Sequence, residues 1–253
     1  MSRLATDEPG TCLVVGGSSG LGRQLAERFG AAGNPLVLLS SDLRDTTALA
    51  ADLHLRFGVR VETVDVDLSS ADPDFAAIDE ALDRLPRLKT LLLAAGMNHA
   101  NDVPGQNFAT FASLTRANYT NVCRIVNRYL PELVRSGGGS IIGFGSVAAT
   151  RGRGRNAAYS AAKRGLQSYF ESMRHALSGT GVVAQFYVLG YLDTNLAFGH
   201  ATPLPPASPG ELARRVHDHR LRDLGTVYHP RAWRLICALV RMIPWFVYRR
   251  LSF

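Results

Sequence analysis

Three side chains in one stretch of the chain could move a proton: the hydroxyl of Ser146, the phenol of Tyr159 and the ammonium of Lys163. Tyr159 and Lys163 stand four residues apart, so on a helix they share one face, one turn apart. An ordinary tyrosine, with a pKa of about 10, is a poor acid at neutral pH, and a fixed cation beside it favours the phenolate. Bringing that value down to roughly 7 takes about 4 kcal/mol of differential interaction, which needs a partly desolvated site. Ser146 closes a strand-like run, Ser140-Ile141-Ile142-Gly143-Phe144-Gly145, whose end would carry its hydroxyl alongside the phenol. The set reads as a proton donor, its tuner and a hydroxyl that holds a carbonyl oxygen. Tyrosine and lysine at this spacing also occur on many helices as a surface pair, so a cofactor site upstream decides between the two.

Such a site is legible near the start of the chain. Cys12-Leu13-Val14-Val15 is a short apolar run, followed at once by Gly16-Gly17-Ser18-Ser19-Gly20-Leu21-Gly22 and then by a helical stripe of Leu21, Leu25, Ala26 and Phe29. Strand, glycine turn and helix in that order let the backbone approach a pyrophosphate and aim free N–H groups at it. Gly16, Ser18, Ser19, Gly20, Leu21 and Gly22 are therefore expected to bind a dinucleotide. Leu36-Val37-Leu38-Leu39 reads as a second buried strand. An NAD site usually carries a carboxylate at the end of that strand for the ribose 2′-hydroxyl. Ser40 and Ser41 stand there instead, followed by Asp42 and Arg44. Two hydroxyls and Arg44 suit a 2′-phosphate and favour NADP(H); a one-residue offset would make Asp42 the selector and NAD(H) the cofactor.

A helix is expected from Thr46 to Phe57, ended by Gly58, and a third strand from Val59 to Leu68. Asp67, with Leu68 beside it, either meets the adenine or caps the helix that holds Phe75, Ile78 and Leu82. Leu88 to Gly96 reads as a fourth strand running into Ala94-Ala95-Gly96, small enough to admit a cofactor against the backbone. A long helical region then reaches about Val134 with Asn118 inside it, either a tolerated surface residue or a local interruption. Val182 to Leu189 reads as the sixth strand, leading to Gly190, Leu192 and Thr194 at its cofactor end. This β/α alternation predicts an α/β fold with a doubly wound parallel sheet and ligands at the strands' C-terminal ends.

With 253 residues, 46% hydrophobic and 19% charged, the chain can bury one sizeable core. We expect a dinucleotide-binding and catalytic domain over 1–229 and a basic, aromatic helical tail over 230–253. Within the domain, the proline-rich run Thr202-Pro203-Leu204-Pro205-Pro206 and the capping box Ser208-Pro209-Gly210-Glu211 suggest either a substrate flap near 195–225 or an inert surface excursion. Cys12, Cys123 and Cys237 lack metal-ligand spacing and lie in apolar surroundings, which fits reduced thiols, a cytoplasmic setting and no metal. No export signal is read at the N-terminus. The net charge of +7 concentrates in Arg151–Arg155 and Arg231–Arg250, pointing to anionic ligands or an anionic membrane surface. Nucleic acid is not expected, because the first patch has no interleaved aromatics and no binding motif is present.

Taken together, these residues resemble the short-chain dehydrogenase/reductases as far as about Thr194. The family's Thr-Gly-x-x-x-Gly-x-Gly loop corresponds to Val15 through Gly22, with valine in place of threonine. Ser146, Tyr159 and Lys163 match its catalytic residues, and Asn118 falls where the family's helical asparagine holds a relay water. The resemblance implies a Rossmann-like fold, a nicotinamide cofactor whose ribose Lys163 would bind and whose carboxamide Thr194 would contact, and a dimer or tetramer. Two motifs depart from the pattern: Asn-Asn-Ala-Gly is Leu93-Ala94-Ala95-Gly96, and Pro-Gly after the sixth strand is Leu189-Gly190.

Scattered segments, Ala117-Asn118-Tyr119-Thr120 among them, are also similar to the decaprenylphosphoryl-2-keto-ribose reductases, which implies a lipid-linked keto-sugar substrate. Arg151, Arg153 and Arg155 lie between Ser146 and Tyr159 and would meet the phosphate of such a substrate. The tail from Trp233 to Phe246 would either lie in a membrane interface, peripheral to the inner face, or pack on protein. The alternatives are a reductase of soluble ketones, acyl chains or steroids, and a nucleotide-binding scaffold without turnover.

Overall fold

The computed structural model describes residues 9–105, 107–194 and 205–251. Short apolar runs alternate with amphipathic helices: β1 (Thr11–Val15), α1 (Gly20–Ala31), β2 (Leu36–Ser40), α2 (Leu43–Phe57), β3 (Val61–Asp65), α3 (Ala76–Asp83) and β4 (Leu88–Leu93). The second half continues with α4 (Phe108–Thr115), α5 (Asn121–Arg135), β5 (Gly139–Ser146), α6 (Ala157–Ala176), β6 (Val182–Leu189), α7 (Pro209–His219), β7 (Thr226–His229), α8 (Trp233–Met242) and α9 (Trp245–Tyr248). All seven strands join one parallel sheet in the order β3-β2-β1-β4-β5-β6-β7. The order reverses between β1 and β4, so a crevice opens at their C-terminal ends.

Both faces of the sheet are covered, and alternate residues along each strand divide between them. Leu13 and Val15 of β1 face α3, α5 and α6, joining Ile78, Ile125 and Phe170. Cys12 and Val14 face α1, α2 and α7, joining Leu25, Leu53 and Leu212. Gly58, at φ 67°, ends α2 as expected and donates its N–H to the His54 carbonyl.

Three expectations change. The long helical region is two helices joined by a π turn, Arg116–Thr120, which places Asn118 at a true local interruption. The third strand is confined to Val61–Asp65, and β7 was not foreseen: its four residues carry too little periodicity to announce a strand. The expected flap also differs. Ser208 caps α7 by accepting the Glu211 N–H, but Leu212, Ala213 and Val216 then bury against the sheet, so 209–219 is a core helix. Residues 195–204 of the expected flap lie outside the described residues.

The tail divides by face. Trp233, Cys237 and Tyr248 are buried on the body, while Leu235, Leu239, Met242, Trp245 and Phe246 are exposed. Packing on the chain's own body therefore accounts for one side only. Among the described residues no helix is long and apolar enough to cross a membrane.

Candidate active site

The turn after β1 is shaped by its glycines. Gly16 has φ 84°, and a Cβ on Gly22 would stand 1.9 Å from the Gly16 carbonyl oxygen, so the turn closes only around bare backbone. The N-terminus of α1, with no acidic residue in its first turn, faces the same space. A cleft of about 740 Å³ runs from this turn across the sheet's C-terminal edge. Gly16, Ser18, Ser19, Gly20, Leu21 and Gly22 line its floor; Ser40, Ser41, Asp67 and Leu68 line one end; Ala95, Gly96, Tyr159, Lys163, Leu192 and Thr194 line the other. A backbone cradle at a helix N-terminus, between a hydroxyl-lined end and a phenol and amine, fits a dinucleotide.

Two expected cofactor residues do not line the cleft. Arg44 is exposed on the first turn of α2. Gly190 instead faces Trp233, where a Cβ would come within 2.0 Å of the indole nitrogen, so its small size serves packing of the tail. Asp42, the alternative selector, does not line the cleft either, and one oxygen of its carboxylate caps α2 by accepting the Asp45 N–H at 3.1 Å. Asp67 does not cap α3; its carboxylate accepts from Ser69 N and Oγ, and Asp74 accepts the Ala76 N–H in its place.

Tyr159 sits in the first turn of α6, and Ser146 is the last residue of β5. Their hydroxyls interact, which pulls the phenol's pKa down, as does the charge of Arg153; burial outweighs both and holds it above the ordinary value. Lys163 is the surprise. Its ammonium donates to the carbonyls of Ala95 at 2.9 Å and Phe144 at 3.2 Å, tying the ends of β4 and β5 together. Burial brings its own pKa down to about 8. A phenol acidified by Lys163 is therefore not what the chain alone provides; the cationic influence on Tyr159 comes from Arg153. Lysine has three donors, and two are used.

The Asn118 side chain is spent on structure. Its Nδ2 donates to the carbonyls of Met97 at 2.8 Å and Leu114 at 2.9 Å, and Oδ1 accepts the Met97 N–H at 3.1 Å. Both Nδ2 hydrogens are used in this way, and Oδ1 keeps one acceptor position. The three loop arginines also separate. Arg151 lies over the Tyr248 ring at 4.0 Å and donates to the carbonyls of Val240 and Ile243, so it fastens the tail. All three line a second cavity, but among the described residues Arg153 and Arg155 make no such contact with the tail.

One residue escaped the sequence reading. Asp102, 5% exposed, accepts the N–H groups of Ala158 at 2.8 Å and Tyr159 at 2.9 Å. Asn156, at φ 56°, makes no side-chain cap, so a carboxylate from a distant loop supplies it. Asn118 holds one end of that loop at Met97, and Asp102 fixes the other to the turn that carries the phenol. The only signal was an acid in a loop just past the fourth strand, and nothing in the sequence tied it to residue 159.

Comparison with known proteins agrees with this geometry. Residues 10–201 match the short chain dehydrogenase family. An uncharacterized oxidoreductase of Myxococcus xanthus is 34% identical over 77% of each chain. One from Mycobacterium tuberculosis is 27% identical over 97% of this chain and 99% of its own, tail included. A solved short-chain dehydrogenase from Sphingobium yanoikuyae in complex with NADPH superposes with a TM-score of 0.79, at 26% identity over 97% of both chains. A glycine cradle, a serine–tyrosine–lysine set and these relatives lead to one assignment: the chain belongs to the short-chain dehydrogenase/reductase family of NAD(P)-dependent oxidoreductases.

Proposed function

We propose that this protein reduces the carbonyl of a lipid-linked, phosphate-bearing keto-sugar with NADPH. The observation that carries the reaction class is Tyr159, hydrogen-bonded to Ser146, beside Lys163 at one end of a cleft whose floor is the glycine turn. When bound, the nicotinamide supplies the hydride. The glycine turn and the N-terminus of α1 hold the pyrophosphate, and Asp67 and Leu68 flank the adenine. Ser40 and Ser41 receive a 2′-phosphate, a preference supported by the diversion of the Asp42 carboxylate into a helix cap. Lys163 offers its remaining hydrogen to a ribose hydroxyl, and Thr194 contacts the carboxamide. Ser146 orients the substrate oxygen, and Tyr159 donates the proton to it. A phenol held above its ordinary pKa keeps that proton until negative charge develops on the oxygen.

Two observations support the substrate class: the arginines of the second cavity, and a tail whose outer face is apolar while its residues 230–253 hold five arginines and no acid. That tail we read as resting on an anionic membrane surface. Tyr159→Phe tests the chemistry: turnover should fall by at least about a hundredfold while NADPH affinity stays within about twofold. Undiminished turnover in this variant would falsify the proton-donor role. Following NADPH absorbance with lipid-linked keto-sugars beside soluble ketones tests the substrate, and equal efficiency on both would replace it with the soluble-ketone reading.

A further inference from the structure

Beside the dinucleotide cleft lies a cavity of about 1120 Å³, walled by the loop 151–155 on one side and by α9 and the residues after it on the other. Arg151, Arg153, Arg155 and Arg249 line it, with Trp245 and Leu251 as apolar wall, and among the described residues no Asp or Glu lines it. Four guanidinium groups around one space repel one another, so their gathering needs a structural reason or a ligand. Arg151 has the structural reason, since it binds two tail carbonyls and covers Tyr248. The other three do not. Among the described residues Arg153, Arg155 and Arg249 make no ion pair, and the Nε of Arg153 is buried with no hydrogen-bond partner. A buried donor left unpaired is costly, and a bound acceptor removes that cost.

We propose that this cavity is a phosphoryl-binding subsite, in which Arg153, Arg155 and Arg249 hold the head of an amphiphilic phosphoester and Trp245 and Leu251 receive the first carbons of its chain. Guanidinium forks match phosphate oxygens in pairs, which a neutral head group could not use. The apolar wall would be wasted on inorganic phosphate alone, and the volume exceeds what that ion needs. Arg153 links the two sites, because its charge is felt at the Tyr159 phenol. A head group held there leaves the adjoining sugar facing the proton donor. That consequence rests on the function proposed above; the binding itself is measurable without turnover.

The chain has two tryptophans, of which Trp233 is buried and Trp245 is exposed and lines the cavity, so Trp245 emission reports on the site. The full-length protein is titrated with dodecyl phosphate below its micelle concentration, beside inorganic phosphate and dodecyltrimethylammonium. Saturable binding of dodecyl phosphate is expected, with the signal lost in Trp245→Phe. Arg249→Gln and Arg153→Gln should each weaken it by about tenfold or more. Arg234→Gln, on the tail but outside the cavity, should change it by less than about twofold, and NADPH affinity should not move. Arg249 lies far from Tyr159 in sequence and serves as the decisive variant if Arg153→Gln disturbs the active-site loop.

No saturation, equal weakening in all three variants, or equal binding of the cationic amphiphile would each overturn the subsite. Inorganic phosphate binding as tightly as dodecyl phosphate would overturn its amphiphilic half. Tight dodecyl phosphate binding with no reduction of any lipid-linked ketone leaves the subsite standing and removes the substrate proposal instead.

Discussion

The cleft from Gly16 to Thr194 is walled by strand ends, small side chains and backbone, whereas the cavity beside it is walled by long side chains on a loop and a short terminal helix. In the first, position is set by the ends of the buried central strands, and the residues that matter are mostly those that stay out of the way. In the second, position is set by a few contacts such as Arg151 on Tyr248, and the residues that matter are those that reach in. A shared cofactor can be met by an unvarying backbone; a particular substrate must be met by side chains. Substitutions on the two sides should therefore fail differently, by collapse on the first and by loss of recognition on the second.

The largest effect is expected from Gly22→Ala. The added Cβ would stand 1.9 Å from a backbone oxygen that has no room to retreat, so the turn must open. Overpacking of this kind costs about 1–3 kcal/mol, and the pyrophosphate cradle is lost with it. Thermal unfolding should shift down by several degrees and NADPH titration should show no saturation. Wild-type NADPH affinity would mean that the cradle is not the cofactor floor.

Asp102→Asn sharpens the boundary between the two regions, since it touches neither ligand. The amide has one acceptor oxygen for two N–H groups, so one helix-end donor is left unpaired at a cost of about 1–3 kcal/mol. Turnover should fall by about tenfold through a misplaced phenol, with NADPH affinity unchanged and the maximal rate falling more than KM rises. A stability loss with intact maximal rate would make Asp102 a cap and nothing more.

Lys163 gives a pH-dependent test on the backbone-built side. Its folded pKa, about 8, lies below the ordinary 10.5, so between these values the unfolded chain binds more protons than the folded one. Stability must then rise with pH across that window, by at most about 3 kcal/mol, as the burial penalty of the ammonium disappears. Lys163→Met should flatten this component when its denaturant unfolding is compared with wild type from pH 8 to 10.5. The difference isolates Lys163, because the thiols and phenols titrating nearby are common to both proteins. Parallel curves would show that the amine is not desolvated.

How much of this was readable beforehand follows the same division. Val182–Leu189, the Gly58 stop and the Ser208 cap are local signals, so periodicity and turn chemistry announced them. The glycine turn and the Ser146, Tyr159 and Lys163 set were legible as residue types at fixed spacing. What sequence could not supply was which partner each polar group would take. Asn118, Asp102, Arg151 and Lys163 all turned to backbone atoms at least 19 residues away, in contacts that only the folded sheet creates. The direction of the Tyr159 shift differs for the same reason, because burial is a property of the assembled core and outweighs the Ser146 hydrogen bond and the Arg153 charge.

The smallest effect on folding and the sharpest on location is expected from Phe246→Ser. The ring is 62% exposed and lines neither cavity, so stability should change by no more than about 0.5 kcal/mol. If the tail rests on an anionic membrane, wild-type protein should co-sediment with vesicles containing phosphatidylglycerol and far less with phosphatidylcholine alone. The variant should bind several-fold more weakly, and raising salt towards 1 M, where screening acts within about 3 Å, should release both. The competing occupant is a second copy of the chain. A two-fold pairing through this face would set five arginines against five with no acid between residues 230 and 253 to offset them, which opposes association at low salt and relaxes at high salt. Salt therefore moves the two in opposite directions: vesicle binding that weakens with salt supports the membrane, and self-association that strengthens with salt and disappears in Phe246→Ser assigns the face to a dimer.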